Sequence, residues 1–232
     1  MIKSIARYIL LIAIPYSGWA QHMPANMMNA GAGTNITDHM LIMDSRKSVN
    51  PPDIVIEGSP YSSPDFASAF IRAKRGTFND VPARYNAADD NLEYQLKGTT
   101  YVVMPTPNIM LVKFDTYSMI VDKLASRDNS YAFYIRLDSG KATLLMRKPI
   151  QFKDAVAPKA IETEGKPARY VEKQVEYYIK VDNEIPRPFN NPKKLVAMLP
   201  DHQQELEKFI SDNKISKNPQ ELTKLVAYYN SL

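Results

Sequence analysis

From Val81 to Lys97, polar and apolar side chains alternate on both sides of a turn-forming stretch. This pattern limits the fold more than any other feature of the chain. Val81, Ala83 and Tyr85 fall on one side of an extended backbone, and Pro82, Arg84 and Asn86 on the other. After the turn, Leu92, Tyr94 and Leu96 alternate with Glu93, Gln95 and Lys97. A period of two marks a half-buried strand, because successive side chains point to opposite faces. Between the two runs, Asn86, Asp89, Asp90 and Asn91 carry side chains that bond to their own backbone and favour a turn. The stretch predicts a hairpin with Arg84 and Glu93 on one face.

Other strand signals surround it. IVIEGSPY reads as a short strand ending in a turn. YVVM, IMLVKF and YSMIV continue the pattern, with Pro105 and Pro107 separating the first two. Tyr131 to Leu137 and Ala142 to Met146 flank Asp-Ser-Gly-Lys, a hairpin signal in which Gly140 is free to take a positive φ. Val171, Val175, Tyr177, Ile179 and Val181 share one face of a further strand, which Lys173 interrupts. Residues 154–168 read as an exposed loop.

Near the end the period changes. Asn191-Pro192 starts a short helix carrying Leu195, Val196 and Leu199. Asp201 with Gln204 resembles a capping box ahead of Leu206, Phe209 and Ile210. Asn218 caps again, with Pro219 at the first helical position and Glu221 closing the box. Leu222, Leu225, Val226 and Tyr229 then form one apolar stripe. Strands first and helices last predict an α+β, mainly β fold: an antiparallel meander or partly closed barrel with a C-terminal helical tail.

The first twenty residues follow the layout of a secretory signal peptide. Lys3 and Arg7 are positive, Tyr8 to Ile14 is a short apolar run, and Gly18 and Ala20 precede a cleavage site before Gln21. That run is too short for a membrane anchor, which needs roughly 20 apolar residues. The expected organisation is a signal peptide at 1–20, a flexible Met-rich leader at 21–53, a β-rich domain at 54–190 and a helical tail at 191–232 packed on it. The expected location is periplasmic or secreted, with no transmembrane segment after signal cleavage. The chain has no cysteine, so no disulfide supports it and no thiol nucleophile exists. It carries 29 basic and 25 acidic side chains, and the signal holds two of the basic ones, so the formal charge falls from +4 to +2. No run of five or six like charges is present, so nucleic acid is not an expected partner.

Several segments together carry a resemblance. GSPYSSPDF, VPARYNAADDNLEY, GKATLLMRK, VEYYIKVDNE, KKLVAMLPDHQQELEKFISDNKIS and ELTKLVAYYNSL resemble a group of exported proteins common in Bacteroidetes, over most of the chain from about Gly58 onward. The resemblance implies a bacterial envelope location. It carries over no reaction, cofactor or catalytic residue. Ala83 stands where a larger apolar residue is expected before Arg-Tyr-Asn.

Chemistry-bearing residues are sparse. His22, His39 and His202 are the only histidines, and the last reads as a solvated first-turn residue. Asp89 and Asp90 are adjacent, so on a strand they face opposite ways and cannot flank one bond; they read as a solvated turn. Arg84 pairs across the hairpin with Glu93, which is worth about 0.2–1 kcal/mol. It is otherwise a fork for an anionic ligand. Arg84, Asn86, Asp89 and Asp90 are therefore the candidate ligand-binding residues, with no catalytic residue, cofactor or metal assigned. The expected function is a non-catalytic binding module for an envelope protein or surface component. The alternative is a carboxylate-based hydrolase of envelope glycans or peptides. A third reading is Cu(I) binding by Met23, Met27, Met28, Met40 and Met43 beside His22 and His39.

Overall fold

The computed structural model describes residues 45–47, 56–125, 130–158 and 165–232. The expected signal peptide and nearly all of the expected leader, with its copper-ligand candidates, lie outside the described residues.

Among the described residues, thirteen strands form in chain order. They are β1 (Ser45–Lys47), β2 (Ala67–Ala73), β3 (Gly76–Asn86), β4 (Asn91–Leu96), β5 (Thr99–Val103), β6 (Ile109–Lys113), β7 (Ser118–Lys123), β8 (Tyr131–Asp138), β9 (Ala142–Arg147), β10 (Ile150–Lys153), β11 (Arg169–Glu172), β12 (Glu176–Val181) and β13 (Arg187–Phe189). Eleven make one antiparallel sheet in the order β1-β5-β4-β3-β2-β6-β7-β8-β9-β12-β13. β10 and β11 pair separately as a ribbon. The large sheet has two ends and is not closed into a barrel. It does curl. Tyr85 on β3 meets Phe133 on β8 edge to face at 5.8 Å, although β2, β6 and β7 lie between those strands.

The 81–97 hairpin forms as its alternation requires. Ala83 lies opposite Tyr94, Arg84 opposite Glu93 and Tyr85 opposite Leu92. Ala83, Tyr85, Leu92 and Tyr94 are all buried in the main core. Ala83 is fully covered, so its small side chain leaves no surface gap.

Three helices follow the sheet: α1 (Pro192–Val196), α2 (Gln203–Asn213) and α3 (Pro219–Ser231). Asn191 and Asn218 cap α1 and α3, accepting the Lys194 and Glu221 N–H groups at 2.8 and 2.9 Å. The Leu222, Leu225, Val226 and Tyr229 stripe is buried, and α3 packs on β8 and β9. No described helix is long and apolar enough to cross a membrane.

Four local expectations fail. Asp201 does not cap α2: the capping residue is His202, in a left-handed conformation with φ 60° and no side-chain cap bond. Gly140 does not adopt a positive φ. It is needed for space, because a Cβ there would come 2.6 Å from Cγ of Asn230. Asn230 bridges α3 to the β8–β9 hairpin: its amide donates to Asp138 and to the Ala142 carbonyl, and its Oδ1 accepts the Ala142 N–H. Within IVIEGSPY, the described part makes only isolated bridges at Glu57 and Tyr61. Gly58 turns the backbone there at φ +78°, and Pro60 has no N–H to give a ladder. The apolar face from Val171 to Val181 is not one strand but two, β11 and β12. In the 154–168 segment, Val156 and Lys166 are bridged.

Candidate functional site

The four candidate side chains do not converge. Arg84 and Asp90 are engaged on opposite faces of the β3–β4 hairpin. Arg84 makes four hydrogen bonds. Nε and Nη2 donate to Glu93 Oε2 at 2.9 and 2.7 Å, Nη2 also to the Tyr61 hydroxyl at 2.7 Å, and Nη1 to the Pro64 carbonyl at 2.8 Å. Its guanidinium stacks 3.6 Å from the Tyr61 ring centre and 4.4 Å from that of Phe66. Tyr61 donates in turn to Glu93 at 3.2 Å. Burial, then Glu93, pushes the Tyr61 hydroxyl up to about 12. The cross-strand pairing expected for Arg84 is present, and it also clamps the Tyr61–Phe66 segment over the sheet.

This changes the expected magnitude. The Glu93 side chain is only 8% exposed, so it is not a surface partner. Arg84→Ala leaves it buried with the Tyr61 hydroxyl alone. Urea denaturation should show a loss of about 2 kcal/mol, the range for a buried charge-assisted hydrogen bond. Glu93→Gln in the same chain should recover part of it. A loss below ~0.5 kcal/mol would mean that the clamp is a surface pair after all.

Asn86 shapes the turn. Its Oδ1 accepts the Ala88 and Asp89 N–H groups at 3.1 and 3.0 Å, and its amide donates to Asp89 at 3.3 Å. Asp89 is exposed, in keeping with a solvated turn. Asp90 is not. It adopts φ 52°, which turns its carboxylate inward. There it accepts the Tyr85 hydroxyl at 2.6 Å, the Phe133 N–H at 3.3 Å and Arg147 Nη2 at 3.1 Å. Burial holds the Asp90 carboxyl above its ordinary range and outweighs Arg147 and both hydrogen-bond donors. At Arg147, burial alone would disfavour the charge, but Asp90 and the nearby tyrosines outweigh it and raise its pKa. Asp90 thus ties the tip of one hairpin to β8 and β9, helping to hold the curl.

Sequence reasoning missed a group on the other face of β8. Tyr134 and Tyr178 pack edge to face at 5.1 Å with Ala132 and Leu145. Around them run Arg147–Glu176 at 3.9 Å and a close Lys180–Asp122 pair. These residues come from four strands, β7, β8, β9 and β12, so spacing along the chain gives no hint of them.

It also missed an open cleft. β9 pairs with β12 up to Arg147 opposite Glu176, and β10 pairs with β11 from Ile150 opposite Glu172. Between those pairs, Lys148 and Pro149 face Lys173, Gln174 and Val175. Two residues oppose three, which makes a β-bulge. Pro149 has no N–H to continue the ladder, and its carbonyl accepts the Lys173 N–H at 2.9 Å. A cleft of about 370 Å³ opens beside this break. Its apolar wall is Tyr117, Ile135, Leu137, Met146, Ile150 and Val175; Ile135 and Met146 are buried in the main core and the other four are half-buried at its margin. Lys148, Lys173, Glu172 and Ser62 also line it. Two sequence features could have marked it: the interruption by Lys173, and Pro149 two residues after the end of β9.

Among the described residues, no group of three or more His, Asp or Glu side chains is placed to hold a metal ion. No family model, curated protein or solved structure matches this chain.

Proposed function

We propose that this chain is an exported module of the bacterial envelope that binds another envelope component without transforming it. One observation carries this: the charged residues of the β3–β4 hairpin serve internal bonds, whereas the cleft at the bulge is open, apolar-walled and lined by exposed lysines. Small-molecule and peptide sites share that composition, an apolar concavity with a few polar groups to orient the ligand. The signal-peptide layout and the resemblance to exported Bacteroidetes proteins support the location.

The test is photo-crosslinking in cells. Lys173 is replaced by benzoylphenylalanine in the full chain, with Lys97, an exposed turn residue, as the control position. Mass spectrometry after irradiation should find a chain lacking residues 1–20, joined to one envelope component at position 173 and not at 97. An unprocessed cytosolic chain, or the same background at both positions, would reject the proposal.

A further inference from the structure

We infer that the cleft at the bulge holds a free single-chain amphiphile with a carboxylate head, of the fatty-acid class. This deepens the binding function proposed above and rests on it. The shape comes from the chain itself. Pro149 breaks the ladder, and the unequal count across the break lets the ribbon of β10 and β11 depart from the sheet. The margin of the core is left half-exposed at Tyr117, Leu137, Ile150 and Val175, with Ile135 and Met146 buried beneath them. An apolar chain laid there would remove this margin from water.

The charges select the head group. Lys148 and Lys173 stand on the two strands of the bulge, both exposed. Neither makes an ion pair among the described residues, whereas Arg84, Arg147 and Lys180 all do. Among the described residues Glu172 alone of those lining the cleft is acidic, against Lys148 and Lys173, so that lining is net positive. An apolar wall beside a cationic lining complements a hydrocarbon tail with an anionic end. About 370 Å³ falls near the lower end of the roughly 300–1,000 Å³ usual for small-molecule sites. That suits one chain and not the edge of a bilayer.

The experiment titrates the full chain with octanoate, decanoate and dodecanoate below their micelle concentrations, using calorimetry. Dodecylamine and vesicles containing anionic lipid serve as comparisons. Each added methylene should tighten binding about 4-fold. Dodecylamine should bind at least 10-fold more weakly than dodecanoate, and vesicles should not retain the protein. Lys148→Glu with Lys173→Glu should weaken dodecanoate at least 10-fold while the circular dichroism melt stays unchanged. Should the double variant melt early, Lys173→Gln alone must still weaken dodecanoate measurably. Equal binding of dodecylamine, indifference to both substitutions, capture by vesicles, or no heat with any carboxylate would overturn the inference. If the carboxylates fail while position 173 still crosslinks to one envelope component, the ligand class falls and the binding function stands. If both fail, the binding function falls as well.

Discussion

Arg147→Met will destabilise the protein by about 3 kcal/mol at neutral pH, in the range for removing one partner of a buried ion pair. Arg147 and Asp90 have side chains only 16% and 22% exposed. Asp90 has no other cationic partner within ion-pair distance among the described residues, so its charge is left buried beside Tyr85 and the Phe133 N–H. Asp90→Asn should cost less, because Arg147 keeps Glu176 at 3.9 Å. The double variant, Asp90→Asn with Arg147→Met, should recover most of the loss, since no unpaired charge remains. Urea midpoints for the four proteins decide it. A double variant as weak as Arg147→Met alone would show that the pair acts through packing.

The pH dependence of that loss has a definite sign. The Asp90 pKa is raised in the folded state, so the folded protein takes up this proton more readily than the unfolded chain. The associated stability is fully present below the unfolded pKa and is lost as pH rises through the folded one. Removing Arg147 removes the cation that lowered that folded pKa and moves it further up. The deficit of Arg147→Met relative to the parent should therefore be greatest at neutral pH and shrink on acidification, as Asp90 protonates and its buried charge disappears. A deficit that stays constant from pH 7 to pH 4.5 would contradict this origin.

Leu225→Ala in α3 should cost about 3 kcal/mol, within the 2–5 kcal/mol range for truncating a buried leucine. Leu225 is fully buried in the same apolar cluster as residues of β8 and β9. A helix of this length is marginal in water by itself, so its stability comes from that contact. The tail and sheet should unfold together, with one urea transition at a lower midpoint and an unchanged slope. Leu225→Met keeps the volume and should cost less than ~1.5 kcal/mol. Two separate transitions in Leu225→Ala would show that the tail is an independent appendage.

Much of the fold was legible because its signals are local. Alternation placed β3 and β4 and their register, since a slip of one residue would turn Tyr85, Leu92 and Tyr94 to the wrong face. Asn191-Pro192 and Asn218-Pro219 marked two helix starts, because capping acts within one turn. The stripe on α3 showed which side would be buried. Local signals misled where a distant group decided the outcome. Gly140 looked like a turn glycine, but Asn230, 90 residues away, sets the need for it. Lys173 looked like a fault in one strand, but it marks a bulge opposite Pro149.

The amino-acid sequence by itself determined that this chain makes antiparallel hairpins followed by amphipathic helices, because side-chain period and cap chemistry act over a few residues. Only the tertiary structure decided that Asp90 turns inward to Phe133 and Arg147, 43 and 57 residues away, and that a cleft opens where β9 meets β10. Which donor meets a turn carboxylate depends on how the sheet curls. That curl is a sum of contacts among strands far apart in the chain, and no short window of residues contains it.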